Sequence, residues 1–246
     1  MIARGAGGPF GGPQGPYLLV ILLLVLAFLN GSLAAPILGV IRNPTERNIV
    51  MLAGFIVAIV VGITVHEFMH AYTAHRLGDD TGRVMGRMSL NPLAHLDVFG
   101  SLLLVLAGFG YGKPVPVNES RLQGGRTSWA FVALAGPMAN FAIAALCALP
   151  VRFGGADLLG GTYFSILESI VLYNCVLGLF NLIPIPPLDG SRVVYALLPP
   201  RQAYSWRTFE GYGPLVLMGI FFFGFRYLNA IVFEPAIAIA RYLLGA

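Results

Sequence analysis

Residues His66-Glu67-Phe68-Met69-His70 set two imidazoles four positions apart, with a carboxylate beside the first. On a helix, residues four apart share one face, so both rings can reach a single metal ion. Neutral imidazole nitrogen is a good zinc ligand. The adjacent Glu can take a proton from a water whose pKa the metal lowers towards neutrality. With four His and six Glu in 246 residues, chance supplies about 0.0016 such motifs in a chain of this composition. The motif also falls late in an apolar stretch, where three ionisable side chains are costly unless they face a polar cavity. The competing reading is a set of paired polar residues tying helices together.

A catalytic zinc site takes a third protein ligand and keeps one position open. The candidates are His75, Asp79, Asp80, His95, Asp97, Glu168 and Asp189. His75 follows His66 by nine residues, about 900° of helical rotation, which puts it on the opposite face. Asp79 and Asp80 follow Gly78 in a helix-ending turn, where solvated carboxylates are usual. Glu168 sits early in its own apolar segment, at the membrane side away from the motif. Asp189 closes the run Asn181-Leu-Ile-Pro-Ile-Pro-Pro-Leu-Asp-Gly190, which the alternation of spans brings to the depth of His66 and His70. Its prolines stop a helix, and Gly190 permits a sharp turn beside the carboxylate. An ordinary loop Asp on the cytoplasmic surface remains the alternative.

The elements that must position these groups are membrane spans. The chain is 57% hydrophobic and 11% charged, with a mean hydropathy of +0.78. A soluble domain of this size cannot bury so much apolar surface behind so few charges. Six apolar segments are predicted as helices: Tyr17–Ile41, Asn48–His75, Ser128–Val151, Thr162–Ile183, Gly211–Leu228 and a short Asn229–Leu244. The fold class expected is an all-α integral membrane protein of about six transmembrane helices. Residues 1–16, rich in Gly and Pro, read as a mobile tail. Residues 17–246 read as one polytopic domain with a catalytic core of about 48–190. Val98–Gly112 is too short to span comfortably and ends in Gly-Phe-Gly-Tyr-Gly before Lys113-Pro-Val-Pro-Val117. It is predicted to be a re-entrant or extended segment between the second and third spans.

With six spans, eleven Lys and Arg fall on the N-terminal side and four on the other, which predicts a cytoplasmic N-terminus in a multi-pass protein of the cell membrane. The net charge of +4 is small, and no basic run suits nucleic acid. Cys147 and Cys175 lie inside apolar runs without metal-ligand spacing and read as small core residues.

The HExxH run with Asn181–Gly190 resembles the paired HExxH and NxxPxPPLDG signatures of the site-2 protease family of intramembrane metalloproteases. Gly136-Pro137-Met138-Ala139-Asn140 is similar to that family's GPxxN signature. Arg87–His95 and Gly112–Asn118 resemble its short bacterial branch, without PDZ or CBS domains. The resemblance implies His66, His70 and Asp189 as ligands of one Zn2+ ion and Glu67 as general base. It implies that Asn140 and Asn181 hold substrate or polarise its carbonyl, with interhelical hydrogen bonding open as their alternative role. It also implies that Met85–Val117 offers a strand edge to an unwound substrate. The expected function is zinc-dependent hydrolysis of peptide bonds in or next to transmembrane segments, as in regulated intramembrane proteolysis. The expected partners are single-span or otherwise helical membrane proteins, the lipid bilayer and separate regulatory proteins. A metal transporter using the same ligands is the rival class, but transporters commonly show repeated halves, and no internal repeat is found here. An inactive scaffold for membrane helices would have no need of Glu67.

Overall fold

The computed structural model describes residues 39–41, 43–97, 112–154 and 156–245. Among these residues the regular structure is helical, and no strand longer than an isolated bridge occurs. The first apolar segment, residues 17–38 of it, and nearly all of the Val98–Gly112 segment lie outside the described residues, as does the N-terminal tail.

Helix α1 runs Glu46–Arg76. The Thr45 hydroxyl caps it by accepting from the Asn48 amide at 3.3 Å, and His75 and Arg76 sit in its last turn, where cations suit the helix dipole. Its 31 residues extend about 46 Å, well beyond the roughly 30 Å of bilayer hydrocarbon. Gly78, at φ 103°, ends it in a turn that L side chains rarely adopt. A short α2 (Thr81–Val84) follows, and after residue 112 an extended stretch leads to α3 (Arg126–Gly154). Helix α4 (Ala156–Asn181) contains one non-helical residue, Gly160, so its membrane-length part is Gly160–Asn181.

Beyond Asn181 the prolines at 184, 186 and 187 forbid further helix, and the chain turns into α5 (Asp189–Leu197). The turn is tight enough that a Cβ on Gly190 would lie 2.1 Å from the Leu182 carbonyl oxygen. Helices α6 (Pro200–Glu210), α7 (Gly213–Phe223) and α8 (Phe225–Leu228) come next. A π-helical turn, Asn229–Phe233, then joins α8 to α9 (Glu234–Leu244).

Four helical stretches among the described residues are long and apolar enough to cross a membrane: Glu46–Arg76, Arg126–Gly154, Gly160–Asn181 and Arg226–Leu244. They coincide with the second, third, fourth and sixth predicted segments. The fifth, Gly211–Leu228, differs from expectation. It carries the 11-residue α7, about 16 Å long, and is broken at Gly224, so it does not form one membrane-length helix. The sixth is longer than its own boundaries suggest because α8 and the π-turn feed straight into α9.

Helices α1, α3 and α4 pack on one another, with α9 against α3 and α4. The shared core is built from small residues: Ala144, Ala148, Val171, Cys175, Ala236 and Ala240 are all buried. Such side chains let helices approach closely where lipid supplies no hydrophobic drive between them. Gly54 of α1 serves the same end, since a Cβ there would lie 2.6 Å from Ser169 Oγ on α4. Cys147 and Cys175 are unpaired and belong to this core. Larger apolar side chains such as Ile56, Phe131, Leu146 and Phe153 point outward from the same helices, as a lipid-facing surface requires.

Asp79 clasps the turn after α1 to the stretch that precedes α3. Its carboxylate is fully buried and accepts from the Thr81 amide (3.0 Å), the Thr81 hydroxyl (2.5 Å) and the Asn118 amide (2.6 Å). Burial pushes its pKa up, but these hydrogen bonds and the charge of Arg121 outweigh that and hold it below 3.8. The stabilisation is therefore complete above the unfolded-state value and lost as pH falls through the lowered native one. Asp79→Ala is expected to destabilise the protein by about 2–3 kcal/mol at neutral pH, because buried donors lose their acceptor. Thermal unfolding in detergent checks this, and the gap to wild type should narrow as pH falls below the ordinary Asp value.

Candidate metal centre

His66 and His70 lie on the inward face of α1, near its C-terminal end, and both are buried. Asp189 opens α5 and is buried with them, carried there by the proline-rich turn after α4. The three groups converge. Nε2 of His66 and Nε2 of His70 are 2.9 Å apart, and Asp189 Oδ2 lies 3.0 Å from the first and 3.2 Å from the second. Among the described residues this is the cluster whose ligand atoms could share a metal ion.

The far side of each ring decides what the near side can do. His66 Nδ1 lies 2.7 Å from Asn140 Oδ1, and His70 Nδ1 lies 2.7 Å from the Val132 carbonyl oxygen, both on α3. Each partner is an oxygen that accepts, so each Nδ1 carries the proton and donates it. In the neutral imidazoles both Nε2 atoms are then bare lone pairs. Asp189 Oδ2 is buried too, and no N–H or O–H donor satisfies it. Three acceptors this close repel one another unless a cation lies between them, so the residues present fit a metal. Two nitrogens and a carboxylate oxygen are a ligand set of the kind catalytic zinc takes, and a tetrahedron with bonds of about 2.0–2.1 Å has edges of about 3.3 Å.

Gly136 of α3 explains how a third helix approaches so closely. A Cβ there would lie 2.5 Å from His70 Nε2 and 2.6 Å from His66 Nε2. Pro137, which follows, cannot donate to the Ala133 carbonyl and crowds it, loosening the turn beside the Val132 carbonyl that His70 uses.

Glu67 points into the same cavity, whose volume is about 340 Å³ and whose walls include His66, His70, Asn140, Asn181, Asp189 and Arg192. Its Oε2 accepts from the Val115 amide at 3.0 Å. Pro114 and Pro116 flank Val115, so this stretch brings its amide to Glu67 in an extended conformation that prolines favour. Arg192, one turn beyond Asp189 on α5, stacks over the Trp129 ring at 4.7 Å.

The other candidate ligands lie elsewhere. His75 pairs with Asp80 at 2.6 Å, and Asp80 with Arg83 at 3.1 Å. Asp79 forms the clasp described above. His95 is wholly buried and holds its own loop through the Ser89 carbonyl at 2.7 Å. Glu168 lines a different cavity of about 670 Å³ with Glu46, Arg47 and Arg241. Asn140 is fully buried and bonded to His66, to the Gly62 carbonyl and to Asn174, the contacts of an interhelical tie. Asn181 is half-buried at the cavity wall and donates to the Leu177 carbonyl of its own helix at 3.0 Å. Asn174 was not anticipated from sequence. Its signal was available, because an amide in the middle of an apolar span seeks a partner. The Val132 carbonyl and the Val115 amide carry no side-chain signature at all.

The model of peptidase family M50 matches residues 54–156 and 150–210, more than half the chain, a range that contains His66, Glu67, His70, Asn140, Asn181 and Asp189. This chain belongs to peptidase family M50. The site-2 protease resemblance of the three motifs is thus a family membership, and the zinc-metalloprotease class comes with it. Among relatives, YwhC of Bacillus subtilis, which bears the name of a zinc metalloprotease, is 37% identical over 175 residues, covering 68% of this chain and 78% of that protein. Rip2 of Mycobacterium tuberculosis, named likewise, is 33% identical over 162 residues, covering 62% and 57%. The zinc metalloprotease MJ0392 of Methanocaldococcus jannaschii is 25% identical over 188 residues, covering 76% and 47%. No solved structure matches this member of the M50 family.

Proposed function

We propose that this protein hydrolyses peptide bonds in or next to the transmembrane segments of helical membrane proteins, with His66, His70 and Asp189 holding one zinc ion. The observation that carries this reading is the convergence of three buried acceptor atoms beside Glu67, at one end of a membrane-length helix. Zinc, when bound, supplies a Lewis acid and lowers the pKa of water towards neutrality.

The chain's own groups do the rest. Glu67 is the general base: its Oε2 is held by the Val115 amide, which leaves Oε1 to take a proton from water and deliver it to the leaving amine. The Asn140 amide and the Val132 carbonyl hold the two imidazoles in one tautomer and one orientation. Asn181 contacts substrate from the cavity wall, and Asn140 acts on substrate only through His66. Asp189 sits in the first turn of α5, where the helix dipole favours its ionised form.

The finer topology follows the same reading. Leu96 and Gly112 form an antiparallel bridge, and the Lys113 amide donates to the His95 carbonyl at 2.6 Å. Both ends of residues 98–111 therefore meet at one point. This supports a re-entrant segment, because a single span would put its ends on opposite membrane faces. Charge asymmetry supports a cytoplasmic N-terminus.

The test is reconstitution with single-span substrates and mass spectrometry of the products. Cuts in or beside the span are expected, lost on chelation and restored by about one equivalent of zinc. Cleavage that survives complete metal removal, or that is confined to soluble loops, would sink the proposal.

A further inference from the structure

The bare Nε2 of His66 depends on a proton at its Nδ1, and that proton is directed by a chain of amides that ends on α4. Asn174 Nδ2 donates to the Ile170 carbonyl at 2.9 Å. A backbone carbonyl only accepts, so the amide of Asn174 has one permitted orientation, with Oδ1 facing α3. That oxygen accepts from Asn140 Nδ2 at 2.9 Å, and the same nitrogen donates to the Gly62 carbonyl at 3.2 Å. Asn140 is thereby fixed twice over, and its Oδ1 is turned towards His66 Nδ1. Both amides are fully buried, so water cannot substitute for a missing partner at no cost. His70 is served differently, by the Val132 backbone carbonyl directly.

A second observation comes from α1. A Cβ on Gly62 would lie 2.8 Å from Asn174 Oδ1, 2.7 Å from Leu177 Cδ1 and 3.4 Å from Asn140 Nδ2. The absence of a side chain at 62 is what lets the two amides meet against α1.

We propose that Asn174 is a positioning residue for the metal centre: acting through Asn140 over the gap at Gly62, it imposes the Nδ1–H tautomer on His66 and so presents Nε2 to the metal. This deepens the metal-centre reading and rests on it. It also gives α4 a double part in the site, since the helix supplies the polarity of one ligand and leads through its proline turn to another, Asp189. Partners behind a metal-bound histidine commonly govern metal affinity by 10- to 100-fold or so.

The experiment has two readouts besides activity. In the first, 15N NMR of histidine-labelled, zinc-free wild type at mildly alkaline pH reports the tautomer of each ring. His66 is expected to carry a proton on Nδ1, because the amide chain persists without metal. In the second, zinc transfer to a chromophoric chelator is timed. Asn174→Leu removes the acceptor at similar volume and is expected to release zinc about 10- to 100-fold faster. Gly62→Ala keeps every polar group but intrudes on Asn174, and should speed release in the same direction. Thr64→Val, a buried change on α1 whose hydroxyl bonds only the Val60 carbonyl of its own helix, should release zinc at the wild-type rate. An Nε2–H tautomer at His66 in zinc-free wild type, or folded Asn174→Leu with wild-type release, would overturn the proposal. If Asn174→Leu does not fold, the wild-type tautomer and Gly62→Ala decide it. Wild type that retains no zinc sinks the metal-centre reading instead, and the tautomer still judges this one.

Discussion

Glu67→Gln is expected to abolish cleavage while the protein keeps its full complement of zinc. Gln replaces one carboxylate oxygen by an amide nitrogen at nearly constant volume, and its remaining oxygen can still accept the Val115 amide, so the wall of the cavity stays in place. None of the three converging ligand atoms moves. What is lost is the ability to take a proton from water and hand it to the leaving amine, which is commonly worth about 100- to 10,000-fold in rate. Zinc by atomic emission and product by mass spectrometry, measured on one preparation, separate the two properties. His66→Ala provides the contrast, since it removes a ligand and should lose metal and cleavage together. The comparison also divides protease from transporter, because a carrier needs the ligands but no base. Glu67→Gln protein that cuts at the wild-type rate would end the mechanism proposed here.

The parts of this site legible in the sequence are those in which side-chain type and spacing carry the chemistry. Two His at helical spacing with a Glu between them can be read from five letters, and Asp189 follows once prolines at 184, 186 and 187 are seen to end a helix at the right depth. The membrane helices are legible for a similar reason, since apolar length alone decides whether a helix can cross. Boundaries went astray where length and backbone chemistry conflict. Gly211–Leu228 is apolar enough for a span, but the Gly224 break leaves α7 too short, and the π-turn before Pro235 hands its remainder to the next helix. What sequence could not supply is the support behind the ligands. A backbone carbonyl at Val132 and a backbone amide at Val115 have no letter of their own, and Asn140 reads equally as a substrate contact or a helix tie until its neighbours are known.

Gly136→Ala is expected to cost the protein its zinc although no ligand is changed. Ala favours a helix over Gly by about 1 kcal/mol, so α3 itself should form at least as well as before. The added Cβ, however, would lie 2.5 Å from His70 Nε2 and 2.6 Å from His66 Nε2, closer than the 3.0 Å that real Cβ atoms respect. Something must move, and each way out damages the site. Turning the rings aside withdraws the Nε2 atoms that meet Asp189. Retreat of α3 breaks the bonds to both Nδ1 atoms, because Val132 and Asn140 stand one turn before and one turn after Gly136 on the same helix face. The methyl group thus lands between the two anchors that orient the histidines. Zinc affinity should fall at least about 10-fold, by the scale at which partners behind metal ligands act, and cleavage should fall with it. Gly219→Ala is the matched comparison, since a Cβ there meets nothing within 4 Å, and it should leave zinc and cleavage unchanged. Equilibrium dialysis against buffered zinc, with thermal unfolding of the metal-free forms alongside, distinguishes a lost site from a lost fold. Gly136→Ala with wild-type zinc affinity would mean that the close approach of α3 to the histidines is not a property of the working site.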